Sequence, residues 1–309
     1  MARVSIVIPA YNAAPYIAQT VESVCQSSWR DFEIIVIDDG SRDVTAEIVN
    51  RIAGADPRVR LISQPNAGMS ASRNRGANLG DSEYVALIDS DDIWHPDKLR
   101  WQLQRLRERP DHDFAYSAFT PFEGEVPRGF AQQARQGYVD EGKSGWVYHH
   151  LILDNYALPS SVLFTRSAWV AMGGFRCDDQ KTDDWEFLVR ASQQFKFVRL
   201  AESMVLYRQV PTSLSRRLAS TNGHELMRDA MLARFGPQSP DGTLVDPAAL
   251  QNFRYTGACN FADSHCARGD LGLGLREFAK LLRSGPYRST TAGKLGKALF
   301  RRVFPKSLA

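Results

Sequence analysis

The sequence predicts an α/β fold in which a mainly parallel sheet is sandwiched by helices and followed by a C-terminal helical region. Short apolar runs alternate with amphipathic helical stripes through the first two-thirds of the chain, a succession typical of a parallel sheet covered on both faces. Beyond about residue 219 the strand patterns stop and only helical stripes remain. We therefore expect two units, residues 1–219 and residues 220–309.

The individual elements are recognised by the spacing of their apolar residues. Buried parallel strands are near-continuously apolar, whereas helices repeat apolar residues three and four positions apart. This criterion predicts strands at residues 4–8, 32–37, 59–62, 84–88, 114–116, 162–164, 197–200 and 205–207. It predicts helices at residues 16–26, 45–52, 70–79, 97–107, 184–193, 225–234, 247–268 and 271–283, the last two as an antiparallel pair.

Two stretches lack this regularity. Residues 119–145 are rich in Gly, Pro, Gln and charge, and loops of such length are usually binding lids or disordered. The tail from residue 286 interleaves basic side chains with bulky apolar ones and contains no acidic residue. That mixture suits the surface of an anionic membrane, and it suits equally a terminal helix docked on its own domain with a solvated basic face.

Composition and charge limit the class of protein. The chain has 309 residues and a net charge of +3, which is too small to argue for nucleic-acid binding. Its four cysteines form no C-x-x-C pair, so nothing demands an oxidising compartment. We find no secretory signal before the first strand and no apolar run near the roughly 20 residues that span a bilayer. The sequence thus predicts a cytoplasmic protein, with peripheral contact at the inner face of the membrane left open.

The most informative motif is Asp89-Ser90-Asp91-Asp92, which directly follows an apolar run. Ionised carboxylates are costly to bury unpaired, so these side chains must face solvent or a cation. Clustered carboxylates at the carboxyl end of a parallel strand suit Mg²⁺ or Mn²⁺, and such an ion keeps positions open for substrate phosphates. The alternative is a capped turn in which Asp91 or Asp92 is the N-cap of the following helix.

Polar clusters follow two further predicted strands. The first strand runs into the Pro-Ala-Tyr-Asn sequence of residues 9–12, and the second runs into the Asp-Asp-Gly-Ser sequence of residues 38–41. Because the carboxyl ends of parallel strands meet at one edge of a sheet, we expect these clusters and the acidic motif to form a single site.

Together these motifs resemble those of the family 2 glycosyltransferases, which have the GT-A fold. The resemblance covers about residues 3–215 and rests on ordered motifs at residues 4–12, 37–41, 66–68, 72–74, 89–92, 173–175 and 183–185. It implies an inverting, metal-assisted enzyme that moves a sugar from a nucleotide-diphosphate donor, with a UDP-sugar favoured, to a hydroxyl group. The implied acceptor is a carbohydrate or lipid-linked glycan in surface polysaccharide biosynthesis.

The resemblance also assigns donor-binding residues. Tyr11 is expected to pack on the base and Asp39 to accept a base N–H, with turn formation beside Gly40 as the alternative role of Asp39. Arg73 resembles the basic residue that approaches the base or the diphosphate, and a solvated helix arginine is its alternative. The full donor set is Pro9, Tyr11, Asn12, Asp39, Arg73, Asp89 and Ser90.

The metal ligands implied by the resemblance are Asp91 and Asp89. Asp91 is expected to bind Mn²⁺ or Mg²⁺, while Asp89 holds the ribose, a metal-bound water or the ion itself. A divalent ion on the diphosphate neutralises the charge that appears when the sugar–phosphate bond breaks. Asp92 ranks lower, because it could cap the following helix instead.

The general base implied by the resemblance is Asp184, which would deprotonate the acceptor hydroxyl. Family members usually have Glu-Asp here and this chain has Asp183-Asp184, so one of the pair could simply be a helix N-cap. The adjacent Trp185 is expected in the core rather than as a wall for the acceptor.

The chain departs from the family at Val210, where many members carry His. A metal or phosphate ligand from that position is therefore not expected, and hydrogen bonds to the phosphates would have to come from Ser213, Ser215, Arg216 and Arg217. The alternative to an enzyme is a non-catalytic protein that binds nucleotide sugars or carbohydrates, and intact acids at both the donor and the acceptor positions argue against it.

Overall fold

The computed structural model describes residues 4–177, 182–210, 218–284 and 287–303. The strands in this part of the chain are β1 (Val4–Ala10), β2 (Phe32–Asp38), β3 (Val59–Ser63), β4 (Tyr84–Leu87), β5 (Ile93–Trp94), β6 (Phe114–Phe122), β7 (Leu163–Thr165) and β8 (Phe197–Arg208). They form one sheet in the order β3-β2-β1-β4-β7-β6-β8-β5.

Helices cover the sheet and make up the C-terminal region. They are α1 (Ile17–Cys25), α2 (Thr45–Ala55), α3 (Met69–Leu79), α4 (Lys98–Glu108), α5 (Tyr148–Leu151), α6 (Arg166–Met172), α7 (Asp183–Ala191), α8 (Gly223–Phe235), α9 (Pro247–Arg268), α10 (Leu271–Ser284) and α11 (Arg288–Val303). The predicted mainly parallel α/β architecture with a helical C-terminal region is confirmed.

The direction of the strands decides where a site can form. β1 pairs in parallel with β2 and β4, β2 pairs in parallel with β3, and β6 pairs in parallel with β8. Among the described strands, β7 is antiparallel to β4 and β6, and β5 is antiparallel to β8. The carboxyl ends of β1, β2 and β4 therefore meet at one edge, and the three polar clusters follow these ends.

The sheet differs from the prediction beyond β4. The two strands predicted at residues 197–200 and 205–207 are one continuous strand, β8, because its pairing with β6 continues across a register shift after Ser117. The exposed and partly exposed residues 201–203 interrupt the apolar pattern between them. The beginning of the irregular stretch predicted at residues 119–145 belongs to β6 for the same reason.

The core has separate layers on the two faces of the sheet and a third cluster among the last helices. Met227 and Met231 of α8 belong to a sheet core, whereas α9, α10 and α11 share a small core of their own around Phe278. α9 and α10 pack against each other across a connection of two residues, as expected for the predicted helical pair. The division between residues 219 and 220 stays a prediction, because α8 packs with the sheet. None of the helices described is both long and apolar enough to cross a bilayer.

Candidate active site

The acidic turn, residues 89–92 after β4, is stabilised by hydrogen bonds to Ser160. The amide of Asp89 donates to Ser160 Oγ at 2.9 Å, and Ser160 Oγ–H donates to Asp92 Oδ2 at 2.5 Å. The main-chain N–H of Arg208 donates to Asp92 Oδ1 at 3.0 Å. Asp92 is fully buried, and burial together with the charges of Asp89 and Asp91 raises its pKa well above the usual value. Asp92 therefore organises the turn from inside.

The capped-turn alternative for these acids is wrong. β5 follows the turn directly, and α4 begins only at Lys98, with Asp97 at its N-cap position. The short strand intervenes because Ile93 and Trp94 pair with β8. Neither Asp91 nor Asp92 is at the start of a helix.

Arg208, the last residue of β8, locks the acidic turn to its surroundings. Its Nε–H donates to the main-chain oxygen of Asp91 at 2.8 Å, and its Nη2 donates to Gln19 Oε1 at 2.8 Å. Nη1 donates to the main-chain oxygen of Gly124 at 2.7 Å, and the guanidinium lies 4.9 Å from the ring centroid of Tyr16. One buried arginine thus joins the turn, α1 and the segment after β6.

Asp91 and Asp89 are the half-buried carboxylates of the turn, in contrast to the fully buried Asp92. Burial raises the pKa of Asp91 to about 6, and the neighbouring Asp89 carboxylate adds to the increase. Asp89 Oδ1 accepts from Arg73 Nη2 at 2.5 Å, and Arg73 itself is buried. No group of three potential ligand side chains is preassembled for a metal in the ranges described. The donor set fits a cation as an open site, since a divalent ion relieves the repulsion between two carboxylates and takes its other ligands from phosphate oxygens.

The predicted nucleoside end is built by the turns after β1 and β2. Asp39 is buried, and its carboxylate accepts from the amides of Ala67 and Gly68 at 2.8 Å each and from Gln64 Nε2 at 2.7 Å. These bonds fix the loop before α3 and leave room for one further donor on Oδ2. Tyr11 stands nearby with 49% of its surface exposed, so its ring is available to a base.

Asn12 connects the same two turns. Its side-chain oxygen accepts from the amide of Arg42 at 2.8 Å, and its own amide donates to Ser41 Oγ at 2.9 Å. Asn12 has a φ of +49°. Gly40 has a φ of +75°, and a Cβ on this residue would lie 3.0 Å from the amide nitrogen of Asn66. The predicted role of Asn12 in donor binding stays a prediction. So do the roles of Pro9, which is in β1, and Ser90, whose main-chain oxygen accepts from Thr20.

Asp184 lies at the start of α7, which contacts α3, the helix that carries Arg73. Asp183 and Asp184 open α7, and Asp183 Oδ2 accepts from Ser70 Oγ of α3 at 2.9 Å. A small apolar cavity of about 10 Å³ adjoins Asp184 and is lined by side chains that include Leu87. Burial raises the pKa of Asp184, against the opposing effect of the Arg73 charge. A carboxylate with an apolar back wall and a raised pKa is suited to accept a proton.

The glycine motif at residues 173–175 keeps Arg73 in place. Asn74 donates to the main-chain oxygen of Phe175 at 2.9 Å and accepts from the Phe175 amide at 2.8 Å. The Arg73 guanidinium carbon lies 5.6 Å from the ring centroid of Phe175. Gly174 has a φ of +85°, and a Cβ there would lie 2.7 Å from Asn74 Oδ1, so the contact requires glycine.

Trp185 is a core residue, as expected. It is 2% exposed, and its indole N–H donates to the main-chain oxygen of Leu151 at 2.6 Å. The guanidinium carbon of Arg228 in α8 lies 5.2 Å from its ring centroid. Trp185 thereby anchors the beginning of α7 between the sheet core and α8.

This arrangement can be compared with known proteins. The model of the family "Glycosyl transferase family 2" matches residues 5–168, more than half of the chain. The chain belongs to this family. The matched range contains the motifs at residues 37–41, 66–68, 72–74 and 89–92, whereas those at 173–175 and 183–185 lie beyond it.

The relatives of this family 2 member include proteins named as polysaccharide synthases and as glycosyltransferases. Chondroitin synthase of Pasteurella multocida is 28% identical over 202 residues, which are 64% of this chain and 20% of that protein. Glycosyltransferase GlyG of Streptococcus pneumoniae is 26% identical over 226 residues, which are 69% of this chain and 73% of that protein. This chain therefore spans about a fifth of the length of the synthase and about three-quarters of that of GlyG.

Solved structures confirm the GT-A fold. TarS residues 1–349 from S. aureus, in complex with UDP-GlcNAc, superimpose with a TM-score of 0.63 at 14% identity, covering 99% of this chain and 93% of that one. The mannosyltransferase PcManGT from Pyrobaculum calidifontis, in complex with GDP-Man and Mn²⁺, gives a TM-score of 0.59 at 20% identity, covering 99% and 88%. At these identities the likeness is one of fold.

The sequence did not reveal two residues that hold the acidic turn of this family 2 site, and one segment with candidate phosphate ligands lies outside the described residues. Ser160 and Arg208 hold the acidic turn but lie 68 and 116 positions from Asp92, and no local pattern marks either. Val210 is buried, while Ser213, Ser215, Arg216 and Arg217 are outside the described residues.

Proposed function

We propose that this family 2 member is an inverting glycosyltransferase that moves one sugar from a nucleotide-diphosphate donor to a hydroxyl group of a carbohydrate acceptor. One observation carries the proposal. Arg73 binds Asp89 of the acidic turn, and Asp184 lines the same small cavity as Leu87, the last residue of the strand before that turn. The charges of Arg73 and Asp89 also both act on the pKa of Asp184. The candidate donor carboxylates and the candidate base thus belong to a single charged cluster, as a one-step transfer requires.

The donor is held in this proposal by residues at the carboxyl ends of three strands. Tyr11 packs on the base, and the remaining acceptor site on Asp39 Oδ2 takes a base N–H. Asp91 and Asp89 would hold a Mn²⁺ or Mg²⁺ ion, which stabilises the negative charge of the leaving diphosphate when bound. Arg73, already beside Asp89, adds positive charge at the same end of the cluster.

The chemical step is assigned to Asp184. Its carboxylate takes the proton of the acceptor hydroxyl while the acceptor oxygen attacks the anomeric carbon of the sugar. The bond from that carbon to the diphosphate breaks on the opposite face, so the new glycosidic bond has inverted configuration. The raised pKa of Asp184 brings the carboxylate closer to the range in which a base works at neutral pH.

A UDP-sugar is the favoured donor, and a surface polysaccharide is the favoured context. The TarS complex contains UDP-GlcNAc, and relatives include chondroitin and hyaluronan synthases of Pasteurella multocida. These names concern those proteins, and they support the same substrate class here.

A thermal-shift screen of UDP-, GDP- and dTDP-sugars with and without Mn²⁺ tests the proposal. We expect one nucleotide class to raise the melting temperature, more strongly with Mn²⁺, because a ligand that binds only the folded state stabilises it. The stabilising donors are then assayed for release of nucleoside diphosphate. Stabilisation without any release or transfer would favour the non-catalytic binding protein over the enzyme.

We further infer peripheral contact with an anionic membrane, where a lipid-linked acceptor would be presented. α11 is docked on α9, with Arg301 bound to Asp263 at 2.5 Å, yet it leaves Phe300 and Val303 51% and 67% exposed. We expect the protein to sediment with phosphatidylglycerol vesicles at low salt and to be released at high salt. Complete recovery in the supernatant at low salt would contradict this inference. The last basic and apolar residues, 304–309, lie outside the described part.

A further inference from the structure

A polar rim made by His224 and Asp154 lies beside the candidate base, and the donor site described above does not use it. His224 is in the first turn of α8, and Asp154 lies shortly after α5. Both residues are exposed. His224 packs on Trp185, the residue after Asp184, and Arg228 of the same helix binds the main chain directly before Asp154.

The position of His224 is set by the residue that follows the base. Its ring meets the ring of Trp185 edge-on, with centroids 5.4 Å apart and an interplanar angle of 87°. Gly223 lies against the start of α7, since a Cβ there would be 3.8 Å from Thr182 Cγ2. The start of α8 therefore packs beside the start of α7, where Asp184 is found.

Arg228 makes the rim rigid. It is 4% exposed, and its Nε and Nη2 donate to the main-chain oxygens of Ile152 and Leu153 at 2.9 Å each. The same guanidinium packs on Trp185. The segment that carries Asp154 and the helix that carries His224 are thus fastened to one another and to α7.

The rim has the chemistry of a site for sugar hydroxyl groups. Partial desolvation where the ring meets Trp185 lowers the pKa of His224, with a further contribution from the Arg228 charge, and this favours the neutral form of the ring. A neutral imidazole offers one donor and one acceptor, and a carboxylate offers acceptors only. No hydrogen bond joins either side chain to another described residue. Adjacent hydroxyl groups of a sugar ring match this set, while the negative charge of Asp154 opposes an anionic sugar.

We propose that His224 and Asp154 form the acceptor subsite of this enzyme and bind the hydroxyl groups of a neutral sugar, whose attacking hydroxyl then faces Asp184. The inference rests on the proposed function, because it presumes that Asp184 receives the acceptor. It assigns the acceptor specificity of the GT-A unit in part to a helix from the C-terminal region.

The test separates acceptor binding from the donor half of the reaction. With the donor found in the screen, glucose and galactose serve as neutral probes and glucuronate as the anionic probe. We expect His224→Ala and Asp154→Asn each to raise the acceptor KM for neutral sugars about tenfold, the usual effect of losing one good hydrogen bond. Donor hydrolysis without acceptor should be unchanged, His224→Gln should retain part of the affinity, and Asp154→Asn should improve the use of glucuronate.

The control is Asp241→Asn, because Asp241 is an exposed carboxylate at the opposite edge of the sheet. It lines a cleft of about 380 Å³ together with Lys196, the residue directly before β8. An unchanged acceptor KM in both rim variants, or failure of all the sugars as acceptors of a wild-type enzyme that hydrolyses the donor, would overturn this inference alone. Absence of both hydrolysis and transfer in the wild type would overturn the proposed function itself.

Discussion

Asp184→Asn is expected to reduce the rate of sugar transfer about 10²–10⁴-fold while leaving donor binding close to that of the wild type. Asparagine keeps the shape of the side chain and can still accept from the Trp185 amide, which donates to Asp184 Oδ1 at 2.8 Å. It cannot take up a proton. The measurement is kcat for transfer together with the dissociation constant for the nucleotide, so that loss of the chemical step is separated from loss of binding.

The pH profile gives a second readout of the same residue. A general base works in its ionised form, so the wild-type rate should fall as the pH is lowered through the pKa of Asp184. Burial raises that pKa above the ordinary value, so the acidic limb should lie above the range near 3.9 that is typical of aspartate. This limb should be missing from the residual activity of the variant.

Asp183→Asn is the matched control, because it removes a carboxylate one position away in the same helical turn. Asp183 accepts from Ser70 Oγ, and an asparagine oxygen can do the same. We expect a change of no more than a few fold. A large loss for Asp183→Asn together with near-normal turnover of Asp184→Asn would move the role of base to the other residue.

The sequence correctly predicted that the polar clusters after β1, β2 and β4 meet at one edge of the sheet. Asp39 and the acidic turn each follow an apolar run in the chain, and strands in parallel register bring their carboxyl ends to one edge whatever the intervening helices contain. The strand pattern therefore predicted both which polar residues follow the strands and that these residues meet at one edge of the sheet. Asp184 follows no strand and was assigned by family resemblance alone.

The parts that escaped prediction depend on contacts between distant segments. Ser160 and Arg208 act on the acidic turn through tertiary hydrogen bonds, and an isolated Ser or Arg has no periodicity that would single it out. The continuity of β8 was missed because β6 supplies its partner across a polar interruption. The rim of His224 and Asp154 likewise exists only because Arg228 fastens α8 to the segment after α5.

Asp91→Asn should give a protein that is more stable without metal and inactive with it. The pKa of Asp91 in the folded chain is about 6, above its value of 3.8 in a model peptide, so the folded state holds this proton more tightly than the unfolded state. Folding is therefore disfavoured by ionisation above about pH 4, and the cost is complete above about pH 6. Removing the charge should add about 1–3 kcal/mol to the free energy of unfolding at pH 7.5 in EDTA, and almost nothing near pH 4.

The same variant should lose the stabilisation by Mn²⁺ and nearly all transfer activity, because it lacks the carboxylate that we propose as a ligand of the ion. Asp92→Asn is the control that separates the two effects. Burial, and then the charges of Asp89 and Asp91, also disfavour the ionised form of Asp92, so removing this carboxylate relieves repulsion as well. Its two oxygens are occupied by Ser160 and by the Arg208 amide, so this variant should keep the response to Mn²⁺.

Urea unfolding with and without Mn²⁺, carried out on both variants, measures these differences directly. A normal Mn²⁺ response of Asp91→Asn would show that the ion is held elsewhere, and a less stable apo variant would contradict the electrostatic argument for the turn. The expected pairing of higher apo stability with lost activity follows from one physical cause. Two carboxylates placed side by side at the end of a buried strand repel each other, and a bound cation would relieve that repulsion.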